Sequence, residues 1–193
     1  MYRDIKTLEQ LGIPILTEEG KQEALIKVKA VLYYESITKN MKIITIKPFY
    51  IIGIAVRTTN ENEQAANDIS ALWNRFLSEN IVQKIPNRVE DNIYSVYTEY
   101  EKDHTKPYTT LLGCKVNSLE NVPEGMVGKS FEGDDYKVFT AKGNLQEGAV
   151  YKAWLDIWNA NIKRAYTADF EVYGTKAQNP TNAEVDIFVA VKE

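Results

Sequence analysis

From residue 41 onward the chain runs twice through the same order of periodicities. In the first pass, "KIITIKPFYIIGIAVRTT" alternates as a strand with a break at Pro48. "NEQAANDISALWNRFLSEN" then places Ile69, Leu72, Trp73, Phe76 and Leu77 along one helical stripe. "NIYSVYTEYE" and "YTTLLGCKV" follow as two strands, and the polar loop "KDHTKP" between them predicts a hairpin. In the second pass, "DYKVFTAKG" is a strand. "QEGAVYKAWLDIWNANIKRA" is a helix carrying Val150, Ala153, Trp154, Ile157 and Trp158. "DFEVYG" and "AEVDIFVAVK" are strands joined by "TKAQNPTN".

The two passes align. Leu72 and Phe76 correspond to Trp154 and Trp158, and "YSVY" at 94–97 corresponds to "FEVY" at 170–173. Each strand-helix-strand-strand unit predicts a small antiparallel sheet with a helix on one face. The expected fold is therefore α+β, with duplicated units, antiparallel sheets and a ligand cleft between them.

Alternation assigns faces. Phe170 and Val172 are expected under the second helix together with Val185, Ile187, Val189 and Val191. The opposite face then carries Glu171, Tyr173, Glu184, Asp186 and Phe188, and the matching face of the first unit carries Ser95, Tyr97 and Glu99. The alignment sets Ser95 against Glu171, so only one unit holds an acid at this position. Glu171 is read either as a solvated surface residue or as the charge in an aromatic pocket. A carboxylate taken out of water without a partner is costly and has a raised pKa, and a cation restores the pairing. Aromatic faces add about 0.5–2 kcal/mol each to such a cation. The chain has the rings for this, with 12 Tyr, 6 Phe and 3 Trp. Tyr97 and Tyr173 occupy equivalent positions, so both or neither face the cleft. Trp154 is the helical ring chosen to reach it. Phe188 and Glu184 are included as lining residues, and Asp186 is placed at the rim.

Other chemistries find little support. The net charge of −4 lacks the basic excess of a free-standing nucleic-acid binder. The longest apolar run, Phe49 to Val56, is too short to span a bilayer. A single cysteine, Cys114, fits a reducing cytoplasm and reads as inert packing. The single histidine, His104, reads as a solvated loop residue, and with Cys114 it cannot build a structural zinc site. No glycine-rich phosphate loop occurs. Neither a metal, a cofactor nor a catalytic triad is expected.

Residues 41–193 resemble the GyrI-like effector-binding domain, which is also the ligand-sensing half of bacterial regulators of the AraC and MerR types. The resemblance rests on the order and spacing of "KPFYIIGIAVRT", "IYSVYTEYE" with "LLGCKV", "YKVFTAKG", "AWLDIW", "DFEVY" and "EVDIFVAVK". It implies a buried acid on the "FEVY" strand, here Glu171, facing an aromatic cleft that takes cationic, lipophilic effectors. Relatives often carry a Trp-Leu pair near the end of the second helix, where this chain has Asn161-Ile162. The resemblance also carries two alternatives. One is hydrolysis of cyclopropane-containing genotoxins, with Glu171 as general base and Tyr97 or Tyr173 orienting the substrate. The other is binding a protein partner, as a gyrase inhibitor does. At the other end, "YRDIKTLEQLGIPILTEEGK" is similar to the close of a DeoR-like winged helix-turn-helix. Residues 1–40 are accordingly expected to be a partial winged helix or a linker. The helices that support such a reading helix do not precede it in the sequence, so DNA binding by this chain is not expected.

Overall fold

The computed structural model describes residues 43–192, together with Gln22 and Leu25, both helical. The winged-helix expectation for residues 1–40 otherwise lies outside the described residues. One compact unit comprises Lys42–Trp158 and Ile162–Glu193.

Within this unit the strands are β1 (Ile43–Ile46), β2 (Phe49–Thr58), β3 (Arg88–Thr98), β4 (Tyr108–Val116), β5 (Val127–Phe131), β6 (Asp134–Gly143), β7 (Ala168–Tyr173) and β8 (Ala183–Ala190). The helices are α1 (Gln64–Ser78), the single turn α2 (Ile81–Lys84) and α3 (Ala149–Asn159). α3 ends before Asn161 and Ile162, so both lie beyond the helix. All eight strands form one sheet in the order β1-β6-β8-β7-β3-β4-β2-β5, and every pairing is antiparallel. The fold is α+β.

Read outward from the centre, the sheet is symmetric. On one side run β3, β4, β2 and β5; on the other run β7, β8, β6 and β1. The break at Pro48 makes this possible. Proline has no N–H and restricts the residue before it. The chain leaves β1, paired with β6 of the second half, and enters β2, paired with β4 of the first. The halves meet along β3 and β7, where Ser95 pairs directly with Glu171. Of the residues equated by the internal alignment, Ser95 and Glu171 are thus direct partners, which places the local pseudo-twofold axis at this pair.

The central strands of the sheet are buried on both faces. α1 and α3 cover one face, over clusters that include Leu72, Phe76 and Leu112 in the first half and Trp154, Ile157 and Ile187 in the second. The other face folds onto itself. Phe49 of β2 and Phe170 of β7 are three strands apart, which in a flat sheet would separate them by about 14 Å. Their ring centroids lie 5.5 Å apart. Curling closes a second core there from Phe49, Tyr94, Val96, Phe131, Tyr136 and Phe170.

This two-sided burial overturns the expected face assignment. In the observed register Glu171 pairs with Ile187, and Phe170 pairs with Phe188. Phe170 and Val172 therefore belong to the core away from the helices, while Glu171 and Tyr173 stand on the helical face. Val185, Ile187 and Val189 do lie under α3, as expected. A one-residue offset between neighbouring strands exchanges every side chain between faces. With apolar residues on both faces, the sequence pattern contains nothing to forbid that offset.

Candidate ligand-binding site

Between α1 and α3, on the helical face, lies a cavity of about 510 Å³. Its floor is the β3–β7 seam, which contributes Tyr97, Glu171 and Tyr173. α1 contributes Trp73 and α3 contributes Trp154 and Trp158. Loops add Tyr100, His104 and Arg164. Helical spacing explains the two tryptophans of α3. Residues four apart share one side of a helix, and the rings of Trp154 and Trp158 lie 6.2 Å apart.

Glu171 is 1% exposed. Its Oε1 accepts hydrogen bonds from Trp154 Nε1 at 2.6 Å and Tyr97 Oη at 2.7 Å, and its Oε2 accepts one from Tyr173 Oη at 2.7 Å. Each donor is neutral. Burial raises the Glu171 pKa above the usual carboxylate range, and the bonds from Trp154, Tyr97 and Tyr173 oppose that rise without cancelling it. Burial, reinforced by the charge of Glu171, pushes both tyrosine hydroxyls well above their ordinary range, so they remain donors at neutral pH. Among the described residues no cationic side chain forms an ion pair with Glu171.

A second charged group stands nearby and is already neutralised. Arg164 Nη2 donates to Asp169 Oδ2 at 2.6 Å, with side-chain exposures of 4% and 0%. Tyr100 Oη donates to the same Asp169 oxygen at 2.7 Å, and the Ala190 backbone N–H donates to Asp169 Oδ1 at 2.8 Å. The Arg164 guanidinium lies over the ring of Trp154, 5.7 Å from its centroid.

Four of the residues expected from the sequence are thus brought together: Glu171, Tyr173, Trp154 and Tyr97. Tyr97 and Tyr173 do behave alike, both reaching Glu171. Glu184 and Phe188 are not part of this group. Phe188 stacks on Phe170 in the opposite core, 4.6 Å between centroids. Glu184 pairs with Lys142 and Lys176 on the same opposite face. His104 is also not a solvated loop residue. Its ring stacks on Trp158 at 5.0 Å, and burial together with the Arg164 charge lowers its pKa. Trp73, Tyr100, His104 and Arg164 escaped the sequence reading. Trp73 carries a signal, its place on the α1 stripe, but a stripe position alone does not separate a cavity wall from the core. The other three sit in or beside loops, where periodicity is silent.

Among the described residues no group of His, Cys, Asp and Glu could hold a metal ion. No helix among them is long and apolar enough to cross a membrane.

The family of integron-associated effector binding proteins, Cass2, matches residues 42–191. This chain belongs to the Cass2 family. An integron cassette protein from Vibrio cholerae of known crystal structure is 30% identical to this Cass2 protein, with a TM-score of 0.63. That match covers 79% of this chain and 95% of the other. YobU of Bacillus subtilis (strain 168), whose description proposes a role as a transcriptional regulator, is 28% identical over 145 residues. The match spans 73% of the Cass2 chain and 91% of YobU. SAV2435, solved bound to tetraphenylphosphonium, shares the fold at 17% identity and a TM-score of 0.65, covering 79% of this chain and 94% of that one.

Proposed function

We propose that this Cass2 protein binds a lipophilic organic cation in the cavity between α1 and α3, as an effector-binding protein related to transcription regulators. The observation that carries this reading is the state of Glu171. Its carboxyl group is fully buried, is held by three neutral donors, and faces an aromatic cavity without a cation of its own. Ionising it inside the protein is costly, and a ligand cation offsets that cost. Tyr97, Tyr173 and Trp154 hold the carboxylate in place. The ring faces of the aromatic wall add attraction for the cation and cover its apolar substituents. The tetraphenylphosphonium bound to SAV2435 has this chemistry.

Titration calorimetry with tetraphenylphosphonium tests the reading. Glu171→Gln removes the charge while keeping the side chain's size. A lost charged contact is worth about 1.5–3 kcal/mol, so Kd should weaken roughly tenfold or more. A protonated Glu171 cannot pair with a cation. Affinity in the wild type should therefore fall as pH drops through the raised Glu171 pKa and reach a plateau above it. Equal affinities in the two proteins at neutral pH would refute Glu171 as the anchor.

A further inference from the structure

We infer that the ligand carries, besides its cationic centre, a neutral hydrogen-bond acceptor such as an ester or amide carbonyl, and that Arg164 receives it. The inference rests on the cation-binding reading and adds a second point of recognition in the same cavity.

Arg164 has five N–H groups in a planar fork. Its Nη2 donates to Asp169 at 2.6 Å and lies 3.5 Å from the Tyr100 hydroxyl. Its Nε and Nη1 are buried and, among the described residues, have no hydrogen-bond partner. Buried donors are rarely left unmade, because each loses its water without replacement. Most of the surroundings cannot help. The guanidinium is walled by the rings of Tyr166, Trp154 and Tyr100, with centroids 4.4, 5.7 and 6.0 Å from its central carbon. Ring faces meet its charge, the Tyr100 hydroxyl serves Nη2, and the Tyr166 hydroxyl, though it acts on the guanidinium, completes no bond to Nε or Nη1 within hydrogen-bond geometry.

Charge decides the chemical class of the missing group. Asp169 already balances Arg164, so the guanidinium lacks acceptors and not a counter-ion. A ligand carboxylate would meet Asp169 as a like charge. A neutral carbonyl meets the two orphan donors and leaves the cavity with one unbalanced charge, that of Glu171. The two recognition points share Trp154, whose Nε1 donates to Glu171 while its ring lies beneath Arg164. A ligand that reaches both extends from the carboxylate across the indole.

The Tyr166 ring packs against the guanidinium, its centroid 4.4 Å from the central carbon. Tyr166 holds a backbone φ of 57°, in the left-handed region that bulky residues seldom adopt. Residues held this way concentrate at ligand clamps and switches. Tyr166 is only partly buried, and the acceptor enters as its ring moves off the guanidinium.

The experiment compares two probes by calorimetry: an alkyltriphenylphosphonium, and the same cation with an ester placed within a chain of equal length. The wild type should bind the ester probe roughly tenfold more tightly, the scale of one or two well-made hydrogen bonds to a charged donor. Arg164→Lys keeps the charge opposite Asp169 and removes the fork, and the ratio of the two affinities should fall to near one. Arg164→Met combined with Asp169→Asn leaves no charge buried alone, and it should collapse the ratio in the same way if the lysine variant folds poorly. Glu171→Gln should weaken both probes and preserve the ratio. Equal binding of the two probes by the wild type, or a preference that survives both Arg164 variants, overturns the inference and leaves the cation reading intact. Failure of both probes to bind overturns the cation reading and this inference together.

Discussion

At the scale of the residue, Glu171 is a stability cost kept at a binding site. Its folded pKa is raised by burial. A raised acid is uncharged in the folded state at low pH, where it costs nothing, and it pulls stability down as pH rises through the folded pKa. Glu171→Gln does not titrate. We therefore expect the variant to match or exceed the wild type in Tm at neutral pH. Its advantage should shrink as pH falls through the window between the raised value and the ordinary carboxylate range. Scanning calorimetry without ligand across that window checks the sign; an advantage that grows on acidification would contradict it. A binding residue whose removal stabilises the apo protein while weakening ligand affinity is the expected trade between stability and function.

At the scale of the element, β2 and β4 approach more closely than side chains allow. Gly53 and Gly113 are direct partners. A Cβ on Gly113 would fall 2.2 Å from the Ile52 carbonyl oxygen, and one on Gly53 would fall 2.0 Å from that of Leu112. Both obstacles are backbone, which cannot rotate away. Gly113→Ala should cost about 1–3 kcal/mol through forced displacement of the strands, measured by urea denaturation. A variant as stable as the wild type would show that the strands can part there. Elements are also the scale at which the sequence was most legible. "YTTLLGCKV" is β4 to the residue, and Pro48 and Gly174 mark real strand ends. α2 and β5 went unread because a four-residue turn and a five-residue strand hold too few periods to stand out. The pairing of β7 with β8 is legible, but its register is hidden. Phe170, Val172, Ile187 and Phe188 are all apolar, so either register buries a hydrophobic face, and the choice falls to the curl of the whole sheet.

At the scale of the molecule, the Asp169–Arg164 pair ties distant segments together. Asp169 is on β7, and its partners are Tyr100 after β3, Arg164 before β7 and Ala190 at the end of β8. Asp169→Asn leaves the guanidinium as an uncompensated buried charge, a change that costs about 3–5 kcal/mol. The loss should appear as a lower urea midpoint of a single transition, since both halves share the β3–β7 seam. Two separated transitions would mean that the halves unfold independently. This network was not readable beforehand, because "IKRAYT" gives no sign that its arginine is buried. The duplicated architecture, by contrast, followed from the repeated order of periodicities, which depends on many residues at once.

The pairing of Ser95 with Glu171 also bears on how such a site can arise. In a dimer of two identical half-length chains, the residue on the axis meets its own copy. Directly opposed residues in an antiparallel pair have Cα atoms about 4.5–5.5 Å apart. Two buried carboxyls at that spacing could not both ionise. Homodimeric symmetry would therefore have forbidden a lone acid here. Joining the two halves in one polypeptide lets mutation act on one copy at a time, so a serine can face a glutamate. A glutamate that faces a serine, with no second carboxyl competing for its proton, is thus open to a single chain carrying both halves and out of reach of any assembly made from one repeated half.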